Sequence, residues 1–104
     1  MTLISGGVAK RNTAVATTGE TTLIDLDAVV QSGGTEAIRP ASRIDIQAVA
    51  ADLKVAYAAG EIAAGRYFTI PAGAIKTIDG PINIGRIFGQ ATGSTTDVEV
   101  VVFR

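Results

Sequence analysis

Apolar and polar residues alternate along much of this chain. Ile44 and Ile46 fall on one face of a predicted strand, while Asp45 and Gln47 fall on the other. A strand of this kind has one face in a core and one face toward solvent, as in an antiparallel sheet. The same alternation recurs at residues 21–28 and 97–103.

Short turn-forming sequences separate these runs. They contain glycine or proline, as in Ser32-Gly33-Gly34, Pro71-Ala72-Gly73 and Asp79-Gly80-Pro81. Alternating segments with turns about every ten residues are typical of an all-β sandwich or barrel. We therefore predict a single antiparallel, jelly-roll-like β-sandwich. Its eight strands are expected at residues 13–18, 21–30, 42–49, 53–59, 66–70, 74–79, 82–91 and 97–103.

The alternation also predicts which residues fill the core. In segment 21–28 it places Ile24 and Leu26 on the face opposite Leu23 and Asp25. In the other strands, the inward-facing residues are expected to be Ile44, Ile46, Ile82, Ile84, Val98, Val100 and Val102.

Residues 48–59 allow two interpretations. Val49, Leu53 and Ala56 have helical spacing before Gly60, a residue that often ends a helix. Leu53 and Val55 also alternate with polar or small neighbours, as in a strand. We favour a strand pair here and keep the helix as the alternative.

The first twenty residues differ in composition from the rest of the chain. They are rich in glycine, threonine and alanine, and they carry Lys10 and Arg11. We predict that residues 1–20 form an extended N-terminal arm and that residues 21–104 form the β-sandwich domain.

Composition excludes several classes of chemistry. The chain has no histidine and no cysteine, which excludes histidine-dependent catalysis, disulfides and thiolate-bound metals. With a net charge of −1, the chain lacks the surplus of basic residues that is typical of proteins that bind nucleic acids or anionic membranes. The N-terminal residues do not resemble a signal peptide and no apolar run has the length of a membrane span, so we expect a soluble protein made in the cytoplasm.

Small residues dominate the apolar content. Alanine and glycine account for 29 of the 104 residues, and only five residues are aromatic. A core built from such small side chains gives a lone subunit a thin margin of stability. Self-association is therefore expected.

No catalytic or metal-binding motif is present. Asp25 and Asp27 share a strand face, yet a calcium or magnesium site needs more oxygen ligands than this pair supplies. A solvated strand face explains the pair as well. No serine lies in a nucleophile motif and no glycine pair forms a phosphate-binding loop. We predict no catalytic residue, no metal and no cofactor.

Four residues are candidates for an interface. Tyr67 and Phe68 are adjacent on a predicted strand and must therefore point to opposite faces. Val101 and Phe103 lie opposite the inward-facing valines of the last strand, so both faces of that strand carry apolar groups. Either the N-terminal segment, through Leu3 or Val15, covers this second face, or a neighbouring subunit does.

The order of segments between residues 43 and 103 is distinctive. It comprises an alternating strand (Arg43-Ile44-Asp45-Ile46), a short strand with aromatic residues (Tyr67-Phe68-Thr69-Ile70), a Pro71-Ala72-Gly73 turn, and two final strands around Thr92-Gly93-Ser94. This arrangement resembles the small virion proteins of tailed bacteriophages that have a β-sandwich fold. The resemblance implies a non-enzymatic structural protein of the virion, most specifically a capsid decoration (cement) protein that binds the major capsid protein.

Two alternatives remain at this stage. One is a phage tail or fibre-attachment module, and the other is a carbohydrate-binding β-sandwich. Glycan binding relies on exposed aromatic platforms, and a chain with two tyrosines and no tryptophan is poorly supplied with them. For the oligomeric state we expect a small closed oligomer, with a homotrimer favoured because it matches the threefold positions of a capsid lattice.

Overall fold

The computed structural model describes residues 7–27 and 41–103. These residues form eight β-strands and no helix. The strands are β1 (Gly7–Val15), β2 (Thr21–Asp25), β3 (Ala41–Ala48), β4 (Asp52–Ala56), β5 (Phe68–Ile70), β6 (Ile75–Ile82), β7 (Arg86–Thr92) and β8 (Thr96–Phe103). Each predicted strand has an observed counterpart, although the bounds differ. The predicted continuation of the second strand through residues 28–30 lies outside the described residues.

The strands form two four-stranded antiparallel sheets. The first sheet has the order β1-β8-β3-β6 and the second has the order β2-β7-β4-β5. The chain crosses from one sheet to the other at every connection except the hairpin between β4 and β5. This order is that of an eight-stranded jelly roll. The predicted all-β, jelly-roll-like sandwich is confirmed.

The core lies between the two sheets and is filled by β-branched residues. Of the seven residues predicted to face inward, Ile82 is buried and Ile84 is partly buried against the core. The other five have no exposed surface: Ile44, Ile46, Val98, Val100 and Val102. The period-2 pattern identified the five positions on β3 and β8 because one face of each strand must be apolar. The predicted strand 82–91 is wrong at its start, since Ile82 ends β6 and Ile84 lies between β6 and β7.

The alternation predicted for β2 is wrong at one point. The pairing of β2 with β7 shifts between Thr22 and Ile24, so Leu23 and Ile24 are both fully buried instead of facing opposite ways. A β-bulge of this kind adds a residue to one strand and turns two successive side chains inward. Leu23 then packs over Gly89, where any Cβ would lie only 2.7 Å from Leu23 Cδ1.

The segment 7–15 is part of the sheet, which corrects the expectation of an arm for these residues. β1 pairs with β8 from Gly7, opposite Phe103, to Val15, opposite Thr96. Pairing satisfies the backbone groups of β8 that would otherwise form an open edge. Val15 also enters the core, where it is buried. Residues 1–6 of the predicted arm lie outside the described residues.

Residues 48–59 contain the predicted strand boundary and no helix. β3 ends at Ala48 and β4 begins at Asp52. The turn between them is held by buried Thr96, whose Oγ1 accepts hydrogen bonds from the backbone N–H groups of Ala50 (2.8 Å) and Ala51 (3.2 Å). Nowhere in residues 7–27 and 41–103 is there a helix long and apolar enough to cross a membrane.

Candidate binding surfaces

The described residues hold no cluster of three or more potential metal ligands. Asp25, one of the two carboxylates considered for a metal, is engaged locally. Its Oδ1 accepts a hydrogen bond from the backbone N–H of Asp27 (3.0 Å), and its Oδ2 pairs with Arg86 Nε at 3.1 Å. These two contacts of Asp25 therefore close the turn after β2 and link it to β7.

The connection between β4 and β5, residues 57–67, folds back over the outer face of the second sheet. Ile62 is buried there against Ala56 and Phe88, in a small cluster separate from the main core. Gly60 and Gly65 both have positive φ (81° and 83°), which lets the segment turn tightly twice. The backbone N–H of Gly60 donates to Glu20 Oε1 at 3.0 Å.

The beginning and the end of this connection form the walls of an open groove of about 380 Å³. We call it the aromatic groove. Its lining residues are Val55, Ala56, Tyr57, Ala58, Glu61, Arg66, Tyr67 and Phe68. Three of the chain's five aromatic residues are in this list.

The rings of the aromatic groove are only partly covered. Tyr57 and Tyr67 are each 40% exposed, whereas Phe68 packs against the main core. The ring centroids of Tyr57 and Phe68 are 5.7 Å apart, with an angle of 54° between the planes. Partial burial raises the pKa of Tyr57. The groove therefore presents two amphipathic tyrosine rings beside a fixed phenylalanine.

Cationic side chains flank these rings. Lys54 Nζ lies 5.0 Å from the centre of the Tyr67 ring, and Lys76 Nζ lies 6.0 Å from that of Phe68. Lys54 belongs to the second sheet and Lys76 to the first, so the two charges approach from different sides. Arg66 forms an ion pair with Glu61.

A second candidate surface is the outer face of the first sheet. We define it by the residues that point away from the core on its four strands and at the end of β3. They are Ala9 and Arg11 on β1, Asp97, Glu99, Val101 and Phe103 on β8, Arg43, Asp45, Gln47 and Val49 in or just after β3, and Ile75, Thr77 and Asp79 on β6. Ile75 is 61% exposed, the largest value among the exposed large apolar residues of the described chain.

The charges at the β1 side of this outer face are paired with one another. Arg11 binds Asp97 at 2.8 Å and Glu99 at 3.1 Å. The backbone N–H of Ala14 also donates to Asp97, and these two contacts hold the pKa of Asp97 below its ordinary value. The hydrogen bond to Asp97 raises the pKa of Arg11.

Toward β6, the same outer face carries a second internal pair. Arg43 binds Asp45 at 2.9 Å, and Asp45 also accepts a hydrogen bond of 2.8 Å from Thr77 Oγ1. The guanidinium carbon of Arg43 lies 4.6 Å from the centre of the Phe103 ring. The ring is therefore half-buried under a side chain of its own subunit.

The four predicted interface residues lie on these two surfaces and do not come together. Tyr67 precedes β5 and is exposed, Phe68 begins β5 and packs against the main core, and both line the aromatic groove. Val101 and Phe103 lie on the outer face of the first sheet and are half-buried. Val15 does not cover them, because it enters the core. Leu3, the other residue considered for this role, is outside the described residues.

Sequence reasoning missed Tyr57 and Ile75 as surface residues. Tyr57 falls within the predicted strand 53–59, but β4 ends at Ala56 and Tyr57 lines the groove. In the predicted strand 74–79, Ile75 alternates in step with Thr77 and Asp79 and so falls on the same face as these polar residues. This pattern could have indicated that Ile75 faces solvent.

No protein-family model matches this chain, and no curated protein matches it in sequence.

Proposed function

We propose that this protein is a non-enzymatic structural component of a tailed-phage virion, a capsid decoration (cement) protein that binds the assembled head. The sequence resemblance of residues 43–103 motivates the proposal. The eight-stranded jelly roll supports it by analogy, since this architecture is common among viral capsid proteins and lectins.

The observation that carries the proposal is the chemistry of the outer face of the first sheet. Val101, Phe103 and Ile75 leave apolar surface available to a partner. Arg11 and Arg43 are already paired with carboxylates of the same face. A partner that covers this face buries apolar surface, and both arginines keep their carboxylate partners when water is excluded. Burying a charge without a partner is what makes a dry interface unfavourable.

The size of the outer face suits a shared interface. Strands about 4.8 Å apart and eight residues long give a four-stranded face of about 500 Å². A standard interface uses about 800 Å² on each partner. The face therefore supplies more than half of one such interface, and we propose that it contacts the major capsid protein together with neighbouring copies in a homotrimer.

Mass spectrometry of density-purified phage particles from the source culture tests the proposal. We expect peptides of this chain to co-purify with the particle and to scale in amount with the major capsid protein across the gradient. If particles containing the major capsid protein lack this chain throughout the gradient, the proposal is wrong.

A further inference from the structure

We infer that the aromatic groove binds a saccharide ring that carries a carboxylate, such as a hexuronic acid unit of a polysaccharide. This activity goes beyond head binding and does not depend on it. It uses the second sheet and the 57–67 connection, on the opposite side of the molecule from the outer face of the first sheet.

The rings provide the stacking surface. A pyranose ring presents a face of C–H groups that packs on an aromatic ring, and tyrosine adds a hydroxyl that hydrogen-bonds to sugar hydroxyls. Tyr57 and Tyr67 are the only tyrosines of the chain, and both line this groove with half-exposed rings. The shortage of aromatic residues in the composition is therefore offset by their concentration at one site.

The volume limits the occupant. Small-ligand sites occupy about 300–1,000 Å³, and this groove of about 380 Å³ is at the lower end of that range. It accommodates about one or two sugar rings and leaves the rest of a longer chain in solvent, since the groove is open.

The charges select an acidic sugar over a neutral or basic one. Neither lysine lines the groove itself, but Lys54 Nζ lies beside the Tyr67 ring and Lys76 Nζ lies beside the Phe68 ring, and both rings are in its lining. Within residues 7–27 and 41–103 no carboxylate forms an ion pair with either lysine. The acids nearby are engaged, because Glu61 pairs with Arg66 and Glu20 accepts from Gly60. A ligand carboxylate supplies the anion that the two lysines lack.

The same features argue against a single-stranded nucleic acid, which also stacks on aromatic rings beside basic residues. Nucleic-acid sites extend the positive charge along several phosphates, whereas the described residues place only two lysines beside these rings, and Arg66 is already paired with Glu61. Glu61 and Arg66 together offer an acceptor and donors, which match sugar hydroxyls better than phosphate oxygens.

The test is a calorimetric titration of the protein with trigalacturonate, compared with galactotriose as the neutral probe and with an oligothymidylate as the nucleic-acid probe. Titrations run to about 20 mM ligand, well above a millimolar Kd. We expect saturable binding of trigalacturonate that weakens with added salt, and binding of galactotriose about tenfold weaker. Failure to bind trigalacturonate, equal binding of the neutral sugar, or tighter binding of the oligothymidylate overturns the inference.

Variants locate the site. Tyr67→Ala is expected to weaken trigalacturonate binding about tenfold, whereas Tyr67→Phe keeps the stacking ring and most of the affinity. The double variant Lys54→Gln/Lys76→Gln is expected to remove the preference for the acidic sugar. Ile75→Ala, on the other sheet, is the matched control and is expected to bind as the wild type does. If Tyr67→Ala binds normally while Ile75→Ala does not, the aromatic groove is not the site.

Discussion

The carboxylate of Asp97 holds the backbone of Ala14 in place. The N–H of Ala14 donates to Asp97 Oδ1 at 3.0 Å, and Ala14 has a φ of 51°, a left-handed conformation that a non-glycine residue seldom adopts. The pairing of β1 with β8 shifts register at this point, between Asn12 and Val15. One acidic side chain thus stabilises the bulge that brings Val15 into the core.

This contact predicts a pH dependence of stability. The pKa of Asp97 is lowered in the folded state, first by the Ala14 hydrogen bond and then by Arg11. A lowered folded pKa adds stability above the unfolded pKa of about 3.9, and this stability is lost as the pH falls through the folded pKa. Asp97→Asn is therefore expected to unfold at lower urea concentration than the wild type at pH 7. The difference should shrink below about pH 4, and a difference that stays constant down to pH 3 would contradict the assignment.

A second prediction concerns Gly89. Because a Cβ at this position would lie 2.7 Å from Leu23 Cδ1, Gly89→Ala should destabilise the fold by about 1–3 kcal/mol through overpacking. The companion variant Gly89→Ala/Leu23→Ala tests the cause, since removal of the Leu23 side chain frees the space. Urea unfolding of the wild type, the two single variants and the double variant should show that the two changes together cost less stability than the sum of their separate costs. Gly19→Ala, where nothing lies within 4 Å, is the control.

A third prediction concerns the buried hydroxyl of Thr96. Thr96→Val keeps the shape of the side chain but leaves the N–H groups of Ala50 and Ala51 without their acceptor. We expect a loss of about 1–3 kcal/mol in the free energy of unfolding, the cost of unsatisfied backbone donors. Thr96→Ser should lose less, because it retains Oγ. A loss for Thr96→Val no larger than that for Thr96→Ser would contradict the role given to the hydroxyl.

Much of the sandwich was predictable because its strands obey a simple rule. One face of β3 and β8 is apolar at every second position, and those positions are the buried ones, such as Ile44 and Val100. The sequence does not reveal the bulge at Leu23, because a bulge depends on which strand pairs alongside and not on the local pattern. The sequence also does not reveal the place of β1 in the sheet, because β1 pairs with the edge of β8, a strand that is distant in sequence.

The two surfaces were predictable to different extents. The parity of Val101 and Phe103 identified them as outward-facing apolar residues, and this is confirmed. The aromatic groove was less accessible to sequence reasoning, because it forms only when the 57–67 connection folds back and buries Ile62. Composition alone suggested too few aromatic residues for a stacking site, whereas the fold gathers three of them.

A fourth prediction tests self-association. Light scattering coupled to size exclusion should show a closed oligomer, with a trimer about three times the 10.6 kDa of one chain. Phe103→Asp places a charge on the outer face of the first sheet beside Arg43 and is expected to yield a folded monomer. Thr22→Asp, on the exposed side of the second sheet, should leave the oligomer intact. A wild-type monomer at micromolar concentration would contradict this prediction.

The most direct measurement is the binding of purified protein to isolated phage heads that lack it. Co-sedimentation with increasing protein should give saturable binding at a fixed ratio to the major capsid protein. Phe103→Asp should remain in the supernatant while Thr22→Asp binds as the wild type does. If wild-type protein stays in the supernatant at every concentration, the proposed role as a decoration protein is contradicted.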